Sequence, residues 1–153
     1  KAREFGAKGI GLLRIEHWIQ VNQELQKLFQ LWILADAPEI KKEALSKIEP
    51  LLKKDMKEVL KIMQGYPVIV RTIDPPLHEF LPKDEDKIKA LADTLKTSPE
   101  QIRKKIESSR EFNPMLGHRG VRLGITDPEI TKMQTRAIIG AGCELVKEGI
   151  KVV

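Results

Sequence analysis

Residues 9–17, with the sequence GIGLLRIEH, decide the fold of this chain. Residues 9–13 are apolar, short and interrupted by glycine, which is typical of a strand that is buried on both faces. Arg14, Glu16 and His17 follow at once, so three chargeable side chains stand at the end of a strand too apolar to face water. The stretch therefore predicts a buried strand whose carboxyl end lies at a functional site.

The same arrangement recurs further along the chain. In residues 67–82, PVIVRTIDPPLHEFLP, three β-branched residues precede Arg71, and the three prolines that follow predict a stiff extended loop. Residues 113–125, NPMLGHRGVRLGI, contain a third short apolar piece that ends in His118 and Arg119. Residues 150–153 open a fourth apolar strand after Gly149.

Helical periodicity fills the intervals between these strands. Apolar residues from Val21 to Ile33 share one helix face, and residues 39–63 repeat the pattern around Pro50, which predicts two helices or a kink. Residues 84–95 and 99–109 predict a small helical insertion, with Thr97 or Ser98 as N-cap and Glu100 closing a capping box. The TDPE sequence at 126–129 starts a last helix, whose buried face comprises Ile130, Met133, Ala137, Ala141 and Leu145.

This order, β-α-α-β-(αα)-β-α-β, predicts an α/β fold. Strands that alternate with helices are parallel and joined by right-handed crossovers. Because the strands are apolar on both faces, we expect helices to cover both sides of the sheet.

Three arginines end three of the predicted strands, namely Arg14, Arg71 and Arg119. Parallel strands place their carboxyl ends on one face, where the three guanidiniums would repel each other unless an anion lay between them. A carboxylate or phosphoryl group fits the planar fork of arginine. The alternative is that each arginine pairs with a nearby acid such as Glu16 or Asp74. Asp74 itself can orient Arg71, contact a ligand or simply begin the turn before the prolines.

Other polar residues near these strand ends are weaker candidates. His17, His78 and His118 and the acids Glu16 and Glu79 lie in the same segments, but a structural role is commoner for such side chains. Arg122 is expected to be a structural ion-pair partner outside the site. Cys143 falls on the far side of its helix from the apolar face and is expected to be inert. No cysteines and histidines have metal-ligand spacing, so no residue is predicted as a metal ligand.

Composition limits the class of protein. The 153 residues suffice for one domain, and a single cysteine fits a reducing cytoplasm. The net charge of +5 raises the alternative of a basic interaction module that binds nucleic acid. Lysines are interspersed with acids, however, and only 5% of residues are aromatic, which argues against nucleic-acid binding. No apolar run approaches the ~20 residues that a membrane-spanning helix needs.

Several long segments resemble the C-terminal domain of the pyruvate, phosphate dikinase family, and they occur in that family's order. They are AREFGAKGIGLLRIEH, IEPLLKKDM at 48–56, PVIVRTIDPPLHEFLP, and NPMLGHRGVRLGI followed by DPEI. Phosphoenolpyruvate synthases and enzyme I of the phosphotransferase system have a similar outline and remain the alternative within the superfamily. They lack DPPLHEFLP and usually carry Trp where this chain has His118.

The resemblance implies a specific fold and reaction. The family's domain is a (β/α)8 barrel of ~250 residues, of which residues 1–153 would form about half as one partial domain. It binds pyruvate and phosphoenolpyruvate (PEP) at its carboxyl face, where phosphoryl transfer from a phosphohistidine domain of the same full-length chain converts pyruvate enolate into PEP. The overall reaction converts ATP, phosphate and pyruvate into AMP, diphosphate and PEP.

The resemblance also assigns residues and partners. It implies that Arg14, Arg71 and Arg119 are catalytic and bind substrate together with Asp74, and that Mg²⁺ takes part through ligands downstream of this chain. The full-length enzyme is expected to be a cytoplasmic homo-oligomer. Since both ends read as cut, we expect the isolated chain to be an inactive piece of a longer protein with open sheet edges.

Overall fold

The computed structural model describes residues 1–153 and contains two strands and seven α-helices. The strands are β1 (Ile10–Arg14) and β2 (Val68–Arg71). The helices are α1 (Glu16–Val21), α2 (Gln23–Leu34), α3 (Pro38–Ile62), α4 (Glu85–Leu95), α5 (Pro99–Ser108), α6 (Gly120–Thr126) and α7 (Pro128–Lys147). Two short 3-10 helices, Leu77–Phe80 and Pro114–Leu116, complete the secondary structure.

The two strands pair in parallel, as the alternation of strands and helices predicts. Leu13 lies opposite Val70, and Arg14 lies opposite Arg71. One face of this sheet packs on the main core through Leu13, Val68 and Val70. The other face leaves Leu12 47% and Ile69 61% exposed, so the expectation that both faces are covered is wrong for this chain.

The third predicted strand is also wrong. Residues 113–125 form the 3-10 helix Pro114–Leu116 and then α6. Pro114 has no N–H to donate to a sheet, and the side chain of Asn113 accepts a hydrogen bond from the N–H of Met115, which closes a turn instead. Arg119 therefore precedes a helix and does not end a strand.

The last four residues run beside the start of β2 without forming a regular strand. The N–H of Gly65 donates to the carbonyl of Lys151 at 2.8 Å, and that of Val68 donates to the carbonyl of Val153 at 3.2 Å. The predicted fourth strand is thus an extended segment that is hydrogen-bonded to the β2 region.

The main core lies between α2, α3, α7 and the sheet, and α3 is one continuous helix that contains Pro50. Of the two alternatives predicted at Pro50, the one with two separate helices is wrong, because the apolar face of α3 packs on the core on both sides of Pro50, which compensates for a single missing backbone hydrogen bond. The predicted face of α7 is confirmed, since all five of its residues are buried. Periodicity predicts Val21 on the buried face of the helix that reaches Ile33, but it is 80% exposed. The reason is that α1 ends at Val21 and the side chain of Asn22 caps a new helix, α2.

The predicted insertion is confirmed as two helices, α4 and α5, with a small core of their own. Ile88, Leu91 and Ile102 pack there against Leu34 and Leu81. Ser98 caps α5, and Gln101, not Glu100, closes the capping box, because Gln101 is three residues after the cap. The chain is therefore a helix-rich α/β protein with a two-stranded parallel sheet, and the half barrel stays a prediction.

Candidate anion-binding site

Arg14 and Arg71 are neighbours at the carboxyl ends of the paired strands. They are register partners in the ladder that joins β1 to β2. Arg14 is exposed, and it takes part in no ion pair of the structure, whereas the other two candidate arginines are both paired. The side chain of Arg71 is 33% exposed. The sequence expectation that these two cations share one edge is met in the fold.

Two acids hold the guanidinium of Arg71. Its Nη2 donates to Oε1 of Glu16, the first residue of α1, whose side chain is 2% exposed. Its Nη1 lies 3.4 Å from Oδ2 of Asp74 in the loop that follows β2. Glu16 lies two residues after the end of β1, but the arginine with which it pairs, Arg71, ends β2.

Asp74 joins Arg119 to this cluster. Arg119 Nη2 donates to Asp74 Oδ2 at 2.8 Å, and Arg119 Nε donates to Asp74 Oδ1 at 3.3 Å. The hydrogen bonds from Arg119 lower the pKa of Asp74 below its ordinary value, and the same bonds raise the pKa of Arg119. Arg119 thus reaches the site from the N-terminal end of α6, although it ends no strand.

Gly120 makes this approach of α6 possible. Its φ of +54° is left-handed, and a Cβ at this position would lie 3.0 Å from Asp74 Oδ1. The sequence offered a signal for this residue, since glycine directly after Arg119 marks a place where backbone comes close to another group. Sequence reasoning did not single it out.

Glu111 and Arg122 hold the loop before Arg119. The sequence pattern contains no indication of Glu111, and it predicts a different partner for Arg122. Glu111 Oε1 accepts a hydrogen bond from the N–H of His118 at 2.5 Å. Arg122 Nη1 donates to the carbonyls of Leu116 at 2.6 Å and Gly117 at 2.9 Å, so its partners are carbonyl oxygens and not the expected acid. Periodicity gives no signal for either contact, because this segment is irregular.

The three histidines do not converge on the arginines. His17 is exposed on α1, and His118 Nε2 lies 2.6 Å from Oγ1 of Thr126. His78 Nδ1 is buried without a hydrogen-bond partner. Glu79 is exposed and forms no ion pair. None of these four side chains forms a hydrogen bond or ion pair with the three arginines, although, after the hydrogen bond to Asp74, the negative charge of Glu79 also raises the pKa of Arg119.

Two buried glutamines anchor the segment that carries Asp74. The N–H of Ile73 donates to Oε1 of Gln134 on α7 at 2.7 Å. Further along, Nε2 of Gln30 on α2 donates to the carbonyl of Phe80 at 2.8 Å. An amide on an otherwise apolar helix face is the sequence signal that could have revealed both residues. The segment that contains Asp74 is thus tied to α7 and α2.

The charge of the cluster favours an anion and not a cation. The carboxylates of Glu16 and Asp74 are both engaged by arginines, and no group of three or more His, Cys, Asp or Glu side chains in the structure could hold a metal ion. The residues present therefore do not fit a Mg²⁺ site. Arg14 supplies the unbalanced positive charge, and Arg71 presents a third of its side-chain surface beside it.

Other charged and reactive residues lie away from this cluster. Lys57 on α3 donates to Glu144 on α7 and to Glu148 directly after α7, at 3.0 Å each, so the lysine-rich face of α3 carries mixed charge. Cys143 is exposed, as expected from its place on α7. It lies beside a groove of about 580 Å³ between α3, β2 and α7. None of the helices combines the length and apolarity needed to cross a bilayer.

Comparison with known proteins identifies the class to which this fold belongs. Residues 1–151 match the PEP-binding domain of PEP-utilising enzymes. The chain is 45% identical over 143 residues to a pyruvate, phosphate dikinase of Rhizobium meliloti, covering 94% of this chain and 16% of that protein. It is 43% identical over 153 residues to the enzyme of the same name from Clostridium symbiosum, covering 99% and 17%.

A third relative, the pyruvate, phosphate dikinase of Giardia intestinalis, is 44% identical over 151 residues, covering 99% of this chain and 17% of that protein. The chain therefore spans about a sixth of the length of the curated relatives that it matches. The match to the domain covers almost every residue described above, including both strands, all seven helices and the arginine cluster. This chain belongs to the family of PEP-utilising enzymes and corresponds to their PEP-binding domain.

Proposed function

We propose that this chain is the substrate-binding part of a pyruvate, phosphate dikinase and that its arginine cluster binds PEP and pyruvate. The observation that carries the proposal is that Arg14 lies opposite Arg71 in the strand register, at the carboxyl ends of two parallel strands. Two guanidiniums at one sheet edge match the oxygens of a phosphoryl group and a carboxylate. The names of the relatives supply the substrate class.

In this proposal the three arginines have different tasks. Arg14, which has no internal partner, binds the phosphoryl or carboxylate oxygens directly. Arg71 and Arg119 are held by carboxylates and offer preorganised donors to the charge that develops on the enolate oxygen during phosphoryl transfer. Asp74 sets the separation between the last two arginines.

The wider protein supplies the remaining parts of the reaction. We place the phosphohistidine domain and the Mg²⁺ ligands outside residues 1–153, in a full-length cytoplasmic homo-oligomer. When bound, Mg²⁺ would provide Lewis-acid stabilisation of the enolate. We also place the two strands in one half of a (β/α)8 barrel, a proposal supported by their parallel register and by the extended segment that runs beside β2.

Titration of the ¹⁵N-labelled chain with PEP, followed by NMR, tests the binding function. We expect shift changes at the ends of β1 and β2 and a reduction in affinity of about tenfold or more for Arg14→Gln or Arg71→Gln, since each removes a charge-assisted hydrogen bond. Arg103→Gln is the matched control, because Arg103 pairs with Glu85 on the insertion. Equal affinity in all four proteins would contradict the proposal.

Activity of the isolated chain gives a second test. Incubated with ATP, phosphate and pyruvate, it should form no PEP, because the groups that carry and activate the phosphoryl group are assigned elsewhere. Sustained PEP formation by the purified 153-residue chain would contradict this part of the proposal.

A further inference from the structure

Glu16 is the single acid that the fold buries. Only 1% of the residue is exposed, and the other buried polar residues are two glutamines, Gln30 and Gln134. A carboxylate that is removed from water is costly unless a cation and hydrogen bonds compensate it. Its location directly after β1, in the first turn of α1, places this buried charge at the edge that carries the arginines.

Arg71 is the cation that compensates the charge of Glu16, and it is the only hydrogen-bond partner of the Glu16 carboxylate. Oε1 of Glu16 accepts from Nη2 of Arg71, while Oε2 of Glu16 and Nε of Arg71 are both buried with no partner. No third group therefore competes for the carboxylate of Glu16. The bond from Nη2 to Glu16 anchors the guanidinium of Arg71. One third of the Arg71 side chain is exposed, and this part is accessible to a ligand.

Asp74 is a weaker anchor for the same guanidinium. Its contact with Arg71 Nη1 is 3.4 Å, whereas its bonds to Arg119 are 2.8 and 3.3 Å. The side chain of Asp74 is 30% exposed, which lowers the strength of its electrostatic contacts relative to those of the buried Glu16. The orientation of Arg71 consequently depends mainly on Glu16.

We propose that Glu16 is a positioning residue, which holds the Arg71 guanidinium in one orientation at the carboxyl edge of the sheet. A buried ion pair contributes little to stability compared with an apolar pair of the same size, so stability alone does not account for it. Its consequence for PEP binding rests on the function proposed above. The claim that Glu16 orients Arg71 is independent of that function, because it concerns the chain without ligand.

The order of the Arg71 side chain is the direct test, measured by ¹⁵N relaxation of its Nε–H group in the ligand-free chain. We expect an order parameter close to the ~0.85 of rigid backbone in the native chain and below ~0.6 in Glu16→Gln, which removes the charge but keeps the size. Glu58→Gln, on the exposed face of α3, is the control and should change nothing. An unchanged order parameter in Glu16→Gln would overturn the proposal.

A second variant keeps the test decisive if Glu16→Gln fails to fold. Glu16→Asp retains the charge and withdraws the carboxylate by one methylene, so a loosened Arg71 supports the proposal and an unchanged one contradicts it. In the ligand experiment, Glu16→Gln should weaken PEP binding about tenfold in the native background and not at all in Arg71→Gln. Equal losses in both backgrounds would show that Glu16 acts independently of Arg71 and would overturn the proposal.

These outcomes separate the two proposals. If the native chain binds no PEP, the proposed function fails, while the order of Arg71 still decides the role of Glu16. If PEP binds and Arg71 is equally ordered in both proteins, the role of Glu16 fails and the binding function stands.

Discussion

Arg119 and Asp74 form a two-point contact across 45 positions of sequence, with Nη2 to Oδ2 at 2.8 Å and Nε to Oδ1 at 3.3 Å. This contact connects the loop after β2 with the start of α6, two segments that share no regular secondary structure. Arg71 touches the same carboxylate and Glu16, so the contact extends into a chain of alternating charges. The geometry of the candidate site depends on this chain of four side chains.

The ionisation of Asp74 gives the protein a defined acid sensitivity. Because the hydrogen bonds from Arg119 lower its pKa in the fold below the ordinary 3.8, the contact stabilises fully above that value and is lost as the pH falls through the lower folded pKa. The difference in free energy of unfolding between the native chain and Asp74→Asn should be constant above about pH 5 and shrink below it. Urea unfolding at pH 2.5 to 7 measures this difference. Asp93→Asn, an exposed acid on α4 without an ion pair, is the control, and a difference that grows on acidification would contradict the assignment.

Substitution of Gly120 tests the close approach of α6 to Asp74. Gly120→Ala forces a Cβ onto a left-handed backbone and places it 3.0 Å from Asp74 Oδ1, so we expect a loss of about 1–2 kcal/mol in unfolding free energy from the backbone alone. Gly65→Ala is the matched control, because Gly65 is also left-handed, at φ +79°, with no atom near its Cβ position. Thermal unfolding should show the larger loss for Gly120→Ala, and the reverse order would argue against the contact.

Removal of the Gln134 amide should destabilise the chain. In Gln134→Ala the buried N–H of Ile73 loses its acceptor, which costs about 1–3 kcal/mol for an unsatisfied buried group. Gln20→Ala on the exposed side of α1 is the control and should stay within about 0.5 kcal/mol of the native chain. Urea unfolding compares the three proteins, and equal stability of Gln134→Ala and the control would contradict the hydrogen bond.

The ion pairs between α3 and α7 predict a dependence on salt and pH. Hydrogen bonds from Lys53 and then Lys57 lower the pKa of Glu144 to about 2, so its contribution is present above its ordinary 4.5 and is lost as the pH falls towards 2. Glu144→Gln should destabilise the chain at pH 7 in low salt, and less in 1 M NaCl, because salt screens exposed pairs.

The control for the inter-helix pairs lies within one helix. Glu43→Gln breaks the pair of Glu43 with Lys47, four residues apart on α3, and should lower the melting temperature less than Glu144→Gln in low salt. Thermal scans at two salt concentrations decide between them. Equal effects of the two substitutions would mean that the contacts between α3 and α7 add nothing beyond a local helix pair.

The regular elements were predictable because they are local. The strands 9–13 and 68–70, the insertion helices and the buried face of α7 all follow from periodicity and capping residues. Two of the errors concerned where a helix is interrupted. Pro50 did not divide α3, since the packed face retains the helix, and Val21 left the buried face because Asn22 starts a new helix.

The site was only partly predictable. That Arg14 and Arg71 are neighbours follows from strand order, because parallel strands bring their carboxyl ends together. Arg119 was expected at the end of a third strand, but it follows a 3-10 helix instead. Its pairing with Asp74, like that of Arg71 with Glu16, corresponds to the alternative in which the arginines pair with nearby acids. Local pattern contains no information about which loop carbonyls or carboxylates an arginine will reach.

The sequence by itself determined β1 and β2, most of the helices and the two arginines that end these strands, because each depends on spacing within a few residues. Only the tertiary structure decided the pairing of charges. It assigned Glu16 to Arg71, Asp74 to Arg119 and no partner to Arg14. The physical reason is that an ion pair depends on the distance between two groups and on their burial. Glu16 and Arg71 are 55 positions apart in sequence, and Asp74 and Arg119 are 45 apart, so these groups come together only when the chain folds.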